Sequence, residues 1–139
     1  MNHIQNNDIN KGSICPYCFE KTVYVDSKEV YSRSYGMIYL CRPCRAWVGV
    51  HRGTSNALGR LANSELREAK KEAHFYFDKL WAAKIKKGFT KNKARGSAYK
   101  WLSSKLGIPA SETHIGWFDI DMCKKVIEIC KPHATKLKL

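Results

Sequence analysis

The sequence predicts an α+β fold, short antiparallel strands followed by a helical unit, and three observations carry that prediction. Cys15, Cys18, Cys41 and Cys44 fall into two identical C-x2-C pairs. Between and just after the pairs, β-branched and aromatic residues alternate with polar ones in short runs, the period of a half-buried strand. From about residue 61 apolar residues recur instead every three or four positions, the period of a helix with one buried face. Four segments follow: residues 1–12 without fixed structure, a cysteine-bearing unit over 13–52, a helical domain over 53–131 and a basic tail over 132–139.

At 139 residues the chain suits one domain, or one with a small annex, able to bury roughly two thirds of its unfolded surface. With 44% hydrophobic and 12% aromatic residues it has the material for a core, which excludes disorder as its general state. No apolar run approaches the roughly 18 to 20 residues of a membrane span. The polar opening, MNHIQNNDINKGS, lacks the apolar centre of a secretory signal, so a cytoplasmic location is expected. The 25 Lys and Arg against 12 Asp and Glu leave a formal charge of +13, which points to an anionic partner.

Six cysteines without an export signal read as metal ligands or free thiols before disulfides. Two thiolates three positions apart on a tight turn can face one ion, and two such turns complete a four-sulfur shell. Pro16 and Pro43 suit the turns, because proline pre-sets one dihedral and cannot continue a helix. The expected cofactor is one structural Zn2+ on Cys15, Cys18, Cys41 and Cys44. Spacing alone also admits iron. Iron knuckles usually carry a small residue after each second cysteine, and Phe19 and Arg45 stand there, so zinc is preferred. His51, seven positions after Cys44, is an alternative ligand that four thiolates make unnecessary.

Residues 21–25, 29–33, 37–40 and 46–50 read as the strands of a zinc ribbon. Residues 51–60 form a turn-rich connector with two glycines. The first long helix takes Asn63 or Ser64 as its cap, buries Leu66, Ala69, Ala73, Phe77 and Leu80, with Tyr76 and Trp81 widening the stripe, and stops at Gly88. The next runs from about Thr90 to Leu106, buries Ala94, Ala98, Trp101 and Leu102, and ends at Gly107. After an aromatic loop at 114–119, Asp119 or Asp121 caps a last helix to about Cys130, stopped by Pro132. Cys123 and Cys130, seven apart on that helix, read as small buried hydrophobes. These helices are expected to form a three-helix unit packed on the ribbon.

His74 and Asp78, four apart, are helix neighbours that read as a surface pair before a general base and its orienting carboxylate. His114 and Asp119 are a second such pair, and no nucleophile motif or phosphate loop accompanies either.

Several segments together resemble an uncharacterised family of bacterial and phage proteins described as zinc-finger-containing domains. Its CPYC opening and its YxCxxCxAxVGxH segment correspond here to residues 15–18 and 39–51. Its GTxxxLGxLAxxELR, AHxxFDxLW, RxxAYxWLxxxLGI and HIGxFD segments correspond to residues 53–67, 73–81, 95–108 and 114–119. The resemblance implies a zinc finger and brings no established activity with it. This chain departs from the pattern at Phe19, Ala57 and Thr113; the last stands for a common cysteine, which argues against a metal role for the His114 loop.

Charge placement is the clue to function. Between Asp78 and Glu112 there is no acidic residue, while that interval holds nine Lys and Arg, interleaved with Trp81, Phe89, Tyr99 and Trp101. Because Trp81 and Trp101 are claimed by the core, Phe89 and Tyr99 are the aromatics free to stack. The expected function is nucleic-acid binding through a basic surface around residues 79–105. Its candidates are Lys84, Lys86, Lys87, Lys91, Lys93, Arg95 and Lys100, with Arg42 and Arg45 on the second knuckle. Two other readings compete: a protein-interaction module, phage-encoded and acting on a host protein, and an enzyme using His74, Asp78, His114 and Asp119.

Overall fold

The computed structural model describes residues 3–137. Met1 and Asn2 of the expected unstructured N-terminus, and Lys138 and Leu139 of the basic tail, lie outside the described residues. The chain is α+β and divides into two compact units, one ending at Glu65 and the other beginning at Leu66.

The first unit carries helix α1 (His3–Asn10) and strands β1 (Val23–Asp26), β2 (Met37–Cys41) and β3 (Ala46–Gly49). They form one antiparallel sheet in the order β1-β2-β3, with Val25 opposite Ile38, Tyr24 opposite Tyr39, and Leu40 opposite Trp47. On β2, Ile38 and Leu40 are buried and Tyr39 is partly covered, the alternation that a one-sided sheet imposes. The unit's compact cluster is unusual in its chemistry: Cys15, Cys41, Ala46 and Leu61, with Cys18, Tyr39, Cys44 and Val48 against it.

Three expectations change in this unit. Residues 3–10 of the stretch read as unstructured are helical. The helix is too polar to stand alone, but Ile9 is only 1% exposed and Gly12 closes against the sheet. A Cβ on Gly12 would meet Ala57 Cβ at 3.0 Å and the Tyr39 ring at 3.1 Å, and its φ of +81° already favours glycine. The strand read over 29–33 is absent. Asp26 accepts from Lys28 N at 2.8 Å, and Ser27 N–H and Oγ bond Gly36 O and Tyr35 N, so residues 27–36 close as a loop. Finally, the connector after residue 52 belongs with the ribbon rather than with the helices. Val50 bridges to Ala57, and Trp47 and Ala62 exchange both backbone hydrogen bonds.

The helices are α2 (Ser64–Lys86), α3 (Lys91–Leu106) and α4 (Ile120–Thr135). Their ends follow the expected chemistry. Gly88, at φ +102°, turns the chain after α2; Thr90 Oγ1 accepts from Lys93 N at the start of α3, and left-handed Gly107 ends it. Asp119 accepts from Met122 N at 2.9 Å to cap α4. Leu66, Ala69, Ala73 and Phe77 of α2 are buried, as are Ala94, Ala98 and Leu102 of α3, while Leu80 is partly covered. Pro132 does not stop α4, which continues to Thr135. The reason is the apolar stripe Cys123, Val126, Cys130, Ala134, whose last member is 2% exposed and holds the final turn in place.

Candidate functional site

The knuckle loops bring four sulfurs together. The Sγ atoms of Cys15, Cys18, Cys41 and Cys44 all lie within 4.8 Å of one another, and Cys18 and Cys41 are 3.7 Å apart. A tetrahedral zinc–thiolate shell, with bonds of about 2.3 Å, has sulfur–sulfur edges of about 3.8 Å. The donor set therefore fits zinc in type, number and separation. Among the described residues no other group of three or more His, Cys, Asp or Glu is so placed; His51 sits outside it, exposed in a turn where Thr54 N bonds its carbonyl.

Backbone geometry explains how each pair is aimed. Phe19 and Arg45, the residues after each second cysteine, adopt φ of 62° and 52°. This left-handed step folds the chain under the sulfurs, and both pairs use it although neither residue is glycine. Tyr17 N–H donates to Cys15 Sγ at 3.4 Å. Hydrogen bonding from the Glu20 backbone holds the Cys18 thiol below its ordinary value. Burial pushes Cys41 up against the opposing bond from the Cys44 backbone, and it pushes Cys44 up to about 12. Burial thus opposes ionisation at Cys41 and Cys44; a divalent ion favours it, by binding thiolates and releasing protons. Four sulfurs leave no position for water or substrate, so the ion such a shell holds is structural.

The basic candidates divide between the units. In the first, the Arg42 guanidinium is held by Glu29 through two bonds of 2.7 and 3.0 Å, which draws the Glu29 carboxyl down and raises Arg42. Arg42 thus spends its charge inside the unit, whereas Arg45 is exposed. In the second, Lys86, Lys87, Lys91, Lys93, Arg95 and Lys100 are exposed, and Lys84 donates to Ser97 Oγ at 3.0 Å. Lys91 and Arg95 stand over the Trp81 ring at 5.8 and 5.9 Å, and Lys84 over Phe89 at 5.6 Å, distances at which a ring face attracts a cation.

The aromatic assignments need correction. Trp81 and Trp101, read as core, are only half-buried, and the Trp81 indole N–H reaches the surface carboxylate of Asp78 at 2.8 Å. Tyr99, read as free to stack, is partly buried against Phe77 with ring centres 4.6 Å apart, and burial pushes its phenol up. Phe89 remains exposed. Sequence reasoning also missed a surface cluster in which Tyr31 packs edge-on against Tyr35 and Trp47, with Arg33 over Tyr35. Its available signal is the make-up of residues 31–36, Tyr, Ser, Arg and Gly alone, which is loop rather than strand chemistry.

The residues of the enzymatic reading are occupied with local structure. His74 Nδ1 and Asp78 are 4.0 Å apart, burial holds the imidazole below its usual value against the pull of Asp78, and Asp78 is shared with Trp81. The His114 ring bonds Ser111 O and stacks on Trp117, while Asp119 caps α4. Thr113 is buried with its hydroxyl on Pro109 O at 2.8 Å, satisfied without a metal.

Comparison with known proteins agrees with the sulfur geometry. The profile of a zinc-finger-containing domain matches residues 11–133, and the chain belongs to that family. No curated protein and no solved structure matches it. The family and the four-cysteine cluster together support zinc binding.

Proposed function

We propose that this member of the zinc-finger-containing family binds nucleic acid, with one structural zinc ion per chain in the first unit and a phosphate-binding surface on the second. Charge placement carries the reading. Residues 66–139 contain seventeen basic and seven acidic residues, a formal +10, against eight and five, or +3, in residues 1–65. Among the described residues, none of the nine Lys and Arg between Asp78 and Glu112 forms an ion pair. A surface that keeps its cations unpaired has counterions to release, and that release drives phosphate binding. Lys86, Lys87, Lys91 and Lys93 flank the Gly88 turn and are all exposed. The ion's contribution is a crosslink that folds the ribbon. Six cysteines without a disulfide suit a reducing compartment, and the cytoplasm is the proposed location.

The test is the salt dependence of oligonucleotide binding. Log K should fall linearly with log salt, by about 0.9 per phosphate neutralised on duplex DNA and about 0.7 on single strands. Changing Lys86, Lys87, Lys91 and Lys93 together to Glu should weaken binding severely and flatten that slope, with zinc content and helical circular dichroism unchanged. Equal binding by this variant, or no binding by the wild-type protein to any oligonucleotide at about 50 mM salt, rejects the reading and leaves protein interaction as the better one.

A further inference from the structure

We propose that the second unit contains a seat for one unpaired nucleobase, which makes single strands rather than duplex its preferred nucleic acid. The inference rests on the nucleic-acid reading above and deepens it. Residues of α2, α3 and the end of α4 line a recess of about 520 Å3. Its walls include Ala83 and Ala98, side chains too small to fill the space, and the ring of Trp101. Lys84, Lys87 and Lys136 stand around these apolar residues, and no carboxylate lines the recess. An apolar interior whose charged rim residues are all lysines, with Ser97 and His133 beside them, suits neither of two simple occupants. Free phosphate gains nothing from the floor, and a neutral hydrophobe gains nothing from the lysines. A nucleotide carries both chemistries in one ligand.

Trp101 is suited to the base. It is half-buried, so one part of the indole is anchored while another faces the recess. His133 meets it edge-on, ring centres 5.2 Å apart at 88°, and supports the ring from one side. Among the described residues nothing accepts its indole N–H, which remains a donor for a base carbonyl. Stacking on such a ring tolerates any base, because every base has a π-face. Lys87 lies three residues beyond Lys84, in the turn that follows α2, where its N–H donates to Lys84 O at 3.0 Å, and the pair can follow the strand's phosphates as it leaves the recess. Bases within a duplex are already paired and stacked, and they reach such a seat only after extrusion from the helix.

The experiment compares a short oligodeoxythymidine with a duplex of equal length, by fluorescence anisotropy at one salt concentration. Wild-type protein should bind the single strand about tenfold more tightly, with quenching of tryptophan emission. Ala83→Phe fills the recess without altering charge; it should lower single-strand affinity about tenfold, leave duplex affinity unchanged, and preserve helical circular dichroism. Trp101→Phe keeps an aromatic ring and should retain most of the affinity while losing a share of the quench. Equal affinity of the wild-type protein for both nucleic acids, binding without quench, or a folded Ala83→Phe protein that binds the single strand normally would each overturn the seat, yet leave nucleic-acid binding standing. Binding to neither nucleic acid would remove the broader reading and the seat with it.

Discussion

Both units bury two cysteines almost completely, Cys15 and Cys41 in the first, Cys123 and Cys130 in the second, and the two pairs do different work. In the first unit each buried thiol has a companion three residues on and backbone N–H groups aimed at sulfur, so the side chains converge. In the second the thiols are seven residues apart on one face of α4, among Val126 and Ala134, and burial pushes Cys130 up to about 11. They behave as small hydrophobes. Burial alone therefore does not decide what a cysteine is for; local spacing and the direction of nearby amides do. The same contrast extends to cohesion. The ribbon sets its sulfur cluster beside the aliphatic Ile9, Ile38, Leu40 and Leu61, whereas the helices bury the rings of Phe77 and Phe118 with Leu102, Ile115 and Val126.

If the ribbon is held by its ion and the helices by apolar packing, Cys41→Ser should have the largest effect. Structural zinc contributes on the order of 10 kcal/mol in small fingers, so this variant should lose its metal and the ordered sheet while keeping most helical signal. Two-dimensional NMR would separate the two, through lost dispersion confined to residues of the sheet. Acid should act in the same direction: protons compete for the thiolates, and metal affinity falls as pH drops. Leu102→Ala should do the reverse. It should cost about 2 to 5 kcal/mol in the helical unit, read by chemical denaturation, with zinc content unchanged. A loss below about half a kcal/mol would mean that Leu102 is not a core residue. The smallest effect sharpens the picture of the knuckle. Phe19 is exposed yet held at φ 62°. The left-handed conformation costs a non-glycine residue roughly 1 to 2 kcal/mol, and glycine's added unfolded-state freedom returns roughly 0.5 to 1. Phe19→Gly should accordingly strengthen the ribbon by up to about 1.5 kcal/mol, seen as greater resistance to chelation.

What could be read from the sequence was what is encoded locally. The C-x2-C pairs identify the sulfur cluster, and Thr90, Gly107 and Asp119 mark helix ends because each acts on backbone groups within a few residues. What could not be read depends on contacts distant in sequence. α1 is mostly polar, and the burial of Ile9 with the approach of Gly12 to Tyr39 and Ala57 explains its order. Residues 29–33 are an exception: the groups that hold them as a loop, the Ser27 hydroxyl and the Asp26 carboxylate, are near in sequence. The bridges from β3 to Ala57 and Ala62 cross a stretch rich in Gly, Ser and Asn, where periodicity is silent. Pattern alone also assigned Trp81 and Trp101 to the core, since a helical stripe does not tell a fully buried ring from one at its margin.

The proposed function divides labour between the units, with an ion folding the first and lysines and arginines of the second binding a phosphate backbone. The most direct test is an oligonucleotide titration of the intact chain before and after zinc is stripped by a chelator, at about 50 mM salt. The stripped protein should lose its ordered sheet, retain its helices and bind within about threefold of the zinc-loaded protein, with nearly the same salt slope. Loss of binding together with the metal, while the helical signal persists, would contradict that division and place the nucleic-acid contact on the ribbon.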